Sequence, residues 1–301
     1  MDSNALNARL DRAREALRAL QARLAAQYGL CRIEVELREG DHEVRVEGQV
    51  LVDRLRAPVV AAVAEAVGGD WAVVDAMRVV QGGPWHAVDA PRTLFTAATG
   101  GAVVTVLHAE DGPVECLGEA HGSALVRDRC GTAAWTALPL GPAVDPPRLP
   151  RPKSRDPSQL VEAARRFLDV PYLLGGTDRD AIDCSGVVQR AAWWSLGVAL
   201  PRNTGDLWGL GAQPGEPPPG LGHLVFVWTH GESLRHVGIA AGDAVVHASL
   251  SRQRVVSDPT ARFYAEAARV DHLPFEALIA HGERCAGAPN ILAAGVRLGT
   301  A

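Results

Sequence analysis

Apolar residues recur near the start of the chain at Leu6, Leu10, Ala13, Leu17, Leu20 and Leu24, in steps of 4, 3, 4, 3 and 4. That spacing holds one stripe on one side of a helix. It predicts an amphipathic helix packed on its own domain or on a second copy. The period then drops to two. Ile33-Glu34-Val35-Glu36-Leu37 and Val44-Arg45-Val46-Glu47-Gly48 alternate, as half-buried strands do. A helix over Arg54 to Val67 and a strand near Trp71 to Val80 complete a small α+β unit over residues 1–84.

From Trp85 to Pro142 the apolar runs are short and separated by glycines. Val103–Leu107, Ala124–Arg127 and Ala134–Leu138 predict strands of a small barrel over residues 85–142. Six prolines from Pro142 through Pro157, both included, predict a stiff linker at 143–155. Asp156-Pro157 then reads as a helix start, because proline at the first turn loses no hydrogen bond. Leu160, Ala163, Ala164, Phe167 and Leu168 form the expected buried face of that helix. Asp258-Pro259 predicts another helix start, running to about Ala268. Past His272 no pattern is legible.

Candidate chemistry centres on Cys184. It follows a glycine-rich loop, Pro171-Tyr172-Leu173-Leu174-Gly175-Gly176, and sits in Asp183-Cys184-Ser185-Gly186 ahead of a helix over Val187–Trp194 closed by Leu196-Gly197. A cysteine at a helix N-terminus meets unpaired N–H groups and the positive end of the dipole, which favour thiolate over thiol. The competing reading is a buried structural cysteine. Downstream, Arg235–Ala240 and Ala244–Ser249 read as a hairpin turning at Gly242-Asp243. With that two-residue loop His247 lies opposite Gly238, and His236 is one diagonal step away on the same face. A cysteine, a histidine base and a second polar group orienting that base make a nucleophile triad, with the thiol and His236 within proton-sharing reach.

Residues from about Asp156 to Ser249 resemble an NlpC-type cysteine peptidase, a papain-like fold of bacterial cell-wall hydrolases. The pieces carrying the resemblance are Pro171-Tyr172 with Gly175-Gly176, Asp183-Cys184-Ser185-Gly186, Leu200-Pro201-Arg202, His236-Val237-Gly238-Ile239 and Val246-His247-Ala248-Ser249. The resemblance implies Cys184 as nucleophile, His236 as base, His247 as the group orienting it, and Tyr172 beside the cysteine. It implies an α+β fold class, with a papain-like catalytic domain over 156–301. Ala124–Arg127 and Ala134–Leu138, joined by Asp128-Arg129-Cys130-Gly131-Thr132, resemble the end of a bacterial SH3 (SH3b) domain. Val46-Glu47-Gly48 and the order of helix and strand give the first unit a weak resemblance to a BON domain.

Cytosolic relatives that pair an SH3-like domain with this catalytic domain are γ-D-glutamyl-L-diamino acid endopeptidases acting on small muropeptides. By that resemblance Asp183 and Ser185 contact a free substrate amino terminus; capping the cysteine helix is the alternative role for Asp183. Glu115, Glu119 and Trp135 are the barrel residues expected near the cleft. Three departures bear on substrate preference: Leu174 replaces a tryptophan, Leu221-Gly222-His223-Leu224 replaces a Pro-Gly-Asp-Leu run, and Leu207 replaces a glutamine.

Composition narrows the classes. The chain has 301 residues, 47% hydrophobic and 22% charged, with a formal net charge of −5 and no dense basic run, which argues against nucleic-acid binding. Five scattered cysteines without a CxxC pair fit a reducing compartment. A zinc set of His108, Cys116, His121 and Cys130 matches no common spacing, so neither metal nor cofactor is expected. The first residues lack the continuous apolar run of a secretory signal, and no stretch is long and apolar enough to span a membrane. The expectation is a cytoplasmic enzyme acting on a small peptide. An exported lysin or toxin, and a binding protein with a silent peptidase fold, are the alternatives.

Overall fold

The computed structural model describes residues 3–287 apart from 29–32, 41, 52–54, 81, 215–217, 230–232 and 266. The Leu6 side chain, Cys31, Arg54 and residues 288–301, on which parts of the sequence reading fall, lie outside the described residues.

Among the described residues three sheets organise the chain. The first has the order β1-β2-β3, from β1 (Ile33–Gly40), β2 (Glu43–Val50) and β3 (Ala72–Val79). β1 and β2 are antiparallel, whereas β2 and β3 are parallel and need a crossover. Helix α2 (Arg56–Val67) supplies it. The stripe Leu10, Ala13, Leu17, Leu20 and Leu24 of helix α1 (Ser3–Tyr28) packs against Val44, Val46, Val59 and Val63, so the seam is covered by its own chain.

The second sheet has seven strands in the order β10-β4-β7-β8-β9-β5-β6. They are β4 (Trp85–His86), β5 (Arg92–Ala97), β6 (Gly100–Leu107), β7 (Val114–Ala120), β8 (Ser123–Arg127), β9 (Ala133–Ala137) and β10 (Ala143–Val144). The first residues of the expected linker are therefore sheet: Ala143 pairs with His86. The prolines around them sit at a sheet edge, where a missing N–H breaks no ladder. A buried ion pair anchors this sheet, with Arg127 Nε and Nη2 both donating to Glu115 Oε2 at 2.9 and 2.6 Å.

The third sheet has six strands in the order β11-β16-β12-β13-β14-β15. Its members are β11 (Gln213–Pro214), β12 (Leu224–Thr229), β13 (Ser233–Ala240), β14 (Ala244–Ser249), β15 (Arg254–Pro259) and β16 (Arg269–Leu273). Helices α3 (Pro157–Arg165), α4 (Cys184–Ala191), α5 (Thr204–Trp208), α6 (Thr260–Tyr264) and α7 (Phe275–Gly287) accompany it. One core joins Leu160, Phe167, Val187 and Val188 to Phe226, Val237 and Ile239 of the sheet. The whole is a mixed α and β fold.

Helix α3 starts where expected: Asp156 accepts the Ser158 N–H at 2.9 Å, and Pro157 occupies the first turn. Leu168, expected in its buried face, is 40% exposed, because the helix ends at Arg165 and the stripe loses its phase. Asp258-Pro259 does not start a helix to Ala268. Asp258 lies on β15, and the helix that follows ends at Tyr264 without a side-chain cap. Helix α7 went unpredicted; Phe275, Leu278 and Ile279 insert into the main core.

Polar contacts tie the second sheet to the cysteine segment. Arg190 of α4 reaches both carboxylate oxygens of Asp111, with Nη2 2.8 Å from Oδ2. Thr177 Oγ1 donates to the Val106 carbonyl at 2.7 Å. Gly175 has φ +86, and a Cβ there would lie 2.9 Å from the Val103 carbonyl oxygen. Glycine is required at that approach.

Candidate active site around Cys184

Cys184 is the first residue of α4, and Asp183 caps the helix from an extended conformation. Asp183 Oδ1 accepts the Gly186 N–H at 2.8 Å, and Oδ2 accepts the Gly175 N–H at 2.8 Å. Two glycines let the loop and helix touch: a Cβ on Gly186 would sit 2.6 Å from the Gly176 carbonyl oxygen. Arg202 closes the arrangement. Its Nη1 donates to Asp183 Oδ1 at 2.9 Å and to Ser185 Oγ at 2.8 Å, while Nη2 donates to Asp183 Oδ2 at 2.7 Å. Arg202 also reaches the Gly176 carbonyl and, at 3.3 Å, Thr105 Oγ1 of β6. Asp183 and Arg202 are each 3% exposed.

The sequence marked Asp183 and Ser185 for substrate contact. Both are buried and engaged by their own chain, and the geometry gives Asp183 the capping role. Tyr172 is half-buried, and its phenol is pushed up to about 12 by burial and then by the nearby Cys184 sulfur. The β6 side of this region comes from Val103, Thr105 and Val106. Of the residues expected there, Glu115 is committed to Arg127, and Trp135 packs toward the core of the first sheet.

Cys184 departs from expectation. Its thiol is buried, with Thr204 Oγ1 3.9 Å away and the Val237 N–H directed at the sulfur. Burial pushes it up to about 11, and the Asp183 carboxylate adds to the rise. A helix N-terminus does lower a thiol, but here desolvation of the charged form outweighs it. Burial and the Asp183 carboxylate both favour thiol over thiolate. Among the described residues neither the Cys184 nor the Ser185 N–H has an acceptor, so two donors of the first turn remain available.

The histidine pair forms as the hairpin predicted. Ile239 pairs with Val246 and Ala240 with Val245 around Gly242 at φ +88, and a Cβ on Gly238 would lie 3.2 Å from His247 Cβ. His236 Nε2 is 2.8 Å from His247 Nδ1. Opposite β12 the register slips between Val227 and Trp228, leaving Arg235 as the extra residue beside His236. Such a bulge re-aims the neighbouring side chain. Phe263 covers the pair, its ring centroid 4.7 Å from His247 and 5.6 Å from His236. Burial, then the adjacent His247, pushes His236 down to about 3. His247 is also lowered, chiefly by burial, with Asp258 opposing.

Among the described residues no hydrogen bond joins Cys184 to His236; the thiol meets the N–H of the very next residue, Val237. Sequence reading also missed Asp258, whose Oδ2 is 3.3 Å from His247 Nε2. Its signal was strand alternation: β15 pairs His247 with Val256 and Val245 with Asp258, a diagonal step along one face. No group of three or more His, Cys, Asp or Glu is placed to hold a metal ion among the described residues. Nor, among them, is any helix long and apolar enough to cross a membrane.

A capped cysteine helix, a paired-histidine hairpin and a mixed α and β core describe a class of cysteine hydrolase fold. Residues 169–272 match the model of the NlpC/P60 family. A probable endopeptidase of Haemophilus influenzae (strain ATCC 51907 / DSM 11121 / KW20 / Rd) is 31% identical over 112 residues, 36% of this chain and 70% of that protein. This chain belongs to the NlpC/P60 family. It is also similar to the murein DD-endopeptidase MepS/murein LD-carboxypeptidase of Escherichia coli (strain K12), 35% identical over 118 residues, 38% of this chain and 62% of the relative. The gamma-DL-glutamyl hydrolase of Bacillus subtilis (strain 168) is 34% identical over 101 residues, 33% of this chain and 24% of the hydrolase. This chain thus spans a quarter to under two thirds of the length of these last two. Among solved structures, an NlpC/P60 family protein from Bacillus cereus ATCC 10987 is 21% identical with a TM-score of 0.36, covering 62% of each chain.

Proposed function

We propose that this protein is a cysteine peptidase that hydrolyses the bond between γ-D-glutamate and a diamino acid in short peptidoglycan-derived peptides with a free amino-terminal L-alanine. The observation that carries the reading is the juxtaposition of Cys184, at the capped start of α4, with the His236–His247 pair on β13 and β14. Similarity to a protein named gamma-DL-glutamyl hydrolase and to murein endopeptidases supports the bond class.

In this reading Cys184 attacks the amide carbonyl as His236 takes the thiol proton, and His236 then delivers it to the leaving amine. Water hydrolyses the thioester by the reverse route. The N–H groups of Cys184 and Ser185 stabilise the oxyanion, at about 3 kcal/mol per donor. Tyr172 lies beside the sulfur. An ammonium binding Asp183 would have to share its carboxylate with Arg202. The first two sheets serve as BON-like and SH3-like modules ahead of the catalytic domain. Cys116, Cys130, Cys184 and Cys285 are free, in keeping with a cytoplasmic role in muropeptide recycling.

One observation favours a second reading, a silent peptidase fold: the buried, protonated thiol without a hydrogen bond to His236. Incubation with L-Ala-γ-D-Glu-diaminopimelate, its N-blocked analogue and whole sacculi separates the possibilities. Release of L-Ala-D-Glu from the free peptide alone, abolished by Cys184→Ala, is the expected result. Equal rates on blocked and free peptide would remove the free-amine requirement, cleavage of sacculi would favour an exported lysin, and no cleavage of any substrate would favour the silent fold.

A further inference from the structure

The polar chain that begins at His236 does not end at His247. Asp258 Oδ2 stands 3.3 Å from His247 Nε2, on a residue 7% exposed. The charged groups facing this carboxylate are Arg252, with Nη2 2.8 Å from Oδ1, and Arg262, with Nε 4.0 Å from Oδ1. From the α6 side the pair is covered by Phe263, which carries no charge.

We infer that Asp258 is a positioning residue that sets the tautomers of two successive imidazoles and so leaves Nδ1 of His236 as the proton acceptor. The logic is one of donors and acceptors. A carboxylate only accepts, so a neutral His247 bonded to it carries its proton on Nε2. Its Nδ1 is then a lone pair. The 2.8 Å contact with His236 must therefore be donated by His236 Nε2–H. A neutral His236 with its proton on Nε2 has a bare Nδ1. That nitrogen is the one nearer the main chain, where the next residue's N–H already meets the Cys184 sulfur. Either imidazole alone could adopt both tautomers; the terminal carboxylate removes the choice.

This inference rests on the peptidase reading for its consequence but not for its test. Long-range 1H–15N spectra of the full chain at pH 7.5, assigned with His236→Gln and His247→Gln variants, report each tautomer directly. Nε2–H on both rings is expected. In Asp258→Asn the amide can donate to His247 Nε2, which reverses both rings and puts a proton on His236 Nδ1. A wrong tautomer in a comparable serine-enzyme relay lowers kcat by about 10⁴-fold. With a second ring intervening, we expect Asp258→Asn to lower kcat at least about 100-fold with KM unchanged. Arg252→Gln, which breaks the ion pair but keeps the carboxylate, should change kcat less than about fivefold. Nδ1–H on either ring in the wild type overturns the inference whether or not any peptide is cleaved. So does an Arg252→Gln loss equal to that of Asp258→Asn, since the pair would then act only as a strut. Correct tautomers without hydrolysis of any peptide would leave the relay standing and remove the peptidase reading instead.

Discussion

Removing the guanidinium of Arg202 is the sharpest test of how the cysteine loop is held. Arg202→Met keeps the apolar stem and deletes a bidentate pair whose bonds to Asp183 measure 2.9 and 2.7 Å. Both residues are 3% exposed, so the Asp183 carboxylate would be left desolvated beside a thiol. At an effective dielectric near 20, opposite charges about 4 Å apart attract by roughly 4 kcal/mol. Breaking one side of a buried pair typically destabilises by about 3–5 kcal/mol. Bonds to the Gly176 carbonyl and Ser185 Oγ are lost as well. We expect Arg202→Met to lower the urea unfolding free energy by about 4 kcal/mol. The double variant Asp183→Asn/Arg202→Met relieves the stranded charge yet keeps an oxygen for the helix cap, and it should recover at least about 1 kcal/mol. Urea titrations of the full chain followed by circular dichroism measure both. A single-variant loss under about 1 kcal/mol, or a double variant as unstable as the sum of its two singles, would refute the claim that this pair fixes the loop.

Gly238→Ala places a Cβ 2.5 Å from Val245 Cγ1 and should lower stability by about 1–3 kcal/mol in thermal melts, with recovery in Gly238→Ala/Val245→Ala. His236, neutral in the fold down to about 3, takes up a proton near 6.5 once unfolded, so its contribution is intact above about 6.5 and is lost as pH falls toward 3. Urea titrations at pH 7 and 5 should show a drop in stability about 2 kcal/mol smaller in His236→Gln than in wild type; equal drops would show that His236 is not desolvated. Alkylation of Cys184 by iodoacetamide, read by peptide mass, should rise about tenfold per pH unit from 6 to 9, because the thiol is pushed up to about 11. A rate independent of pH over that range would mean that a thiolate already rests there.

The N-terminal helix and both histidine strands were legible because their periods, 3.6 and 2, are set by which face is buried. The hairpin needed only Gly242-Asp243 to fix its register, which put both imidazoles on one face, their ring nitrogens 2.8 Å apart. What sequence could not supply is burial of polar groups by distant chain. Asp183 and Ser185 read as open contacts at a helix start, yet Arg202, 19 and 17 residues further on, closes over them. Asp258 read as a cap because aspartate before proline usually starts a helix; here the strand ladder with β14 continues through both residues and wins. Helix α7 follows Pro274 rather than a Ser, Thr, Asp or Asn, and Phe275, Leu278 and Ile279 seat it in a core built by earlier segments.

The resting protonation of the site limits the mechanism it can run. A thiol at about 11 and an imidazole at about 3 strongly favour the neutral pair. At about 1.4 kcal/mol per pKa unit, transferring the proton between them in isolation requires roughly 11 kcal/mol. Mutual attraction of the resulting charges offsets part of that cost. Even the full roughly 11 kcal/mol is inside the roughly 16 kcal/mol barrier of an enzyme turning over about ten times per second. A preformed thiolate is therefore not required. In the proposed reaction the transfer instead accompanies carbonyl attack, when the negative charge moves from sulfur to an oxygen facing the Cys184 and Ser185 N–H groups. A site built this way keeps its sulfur in the form least prone to oxidation until an acyl group arrives, because oxidation, like alkylation, proceeds through the thiolate.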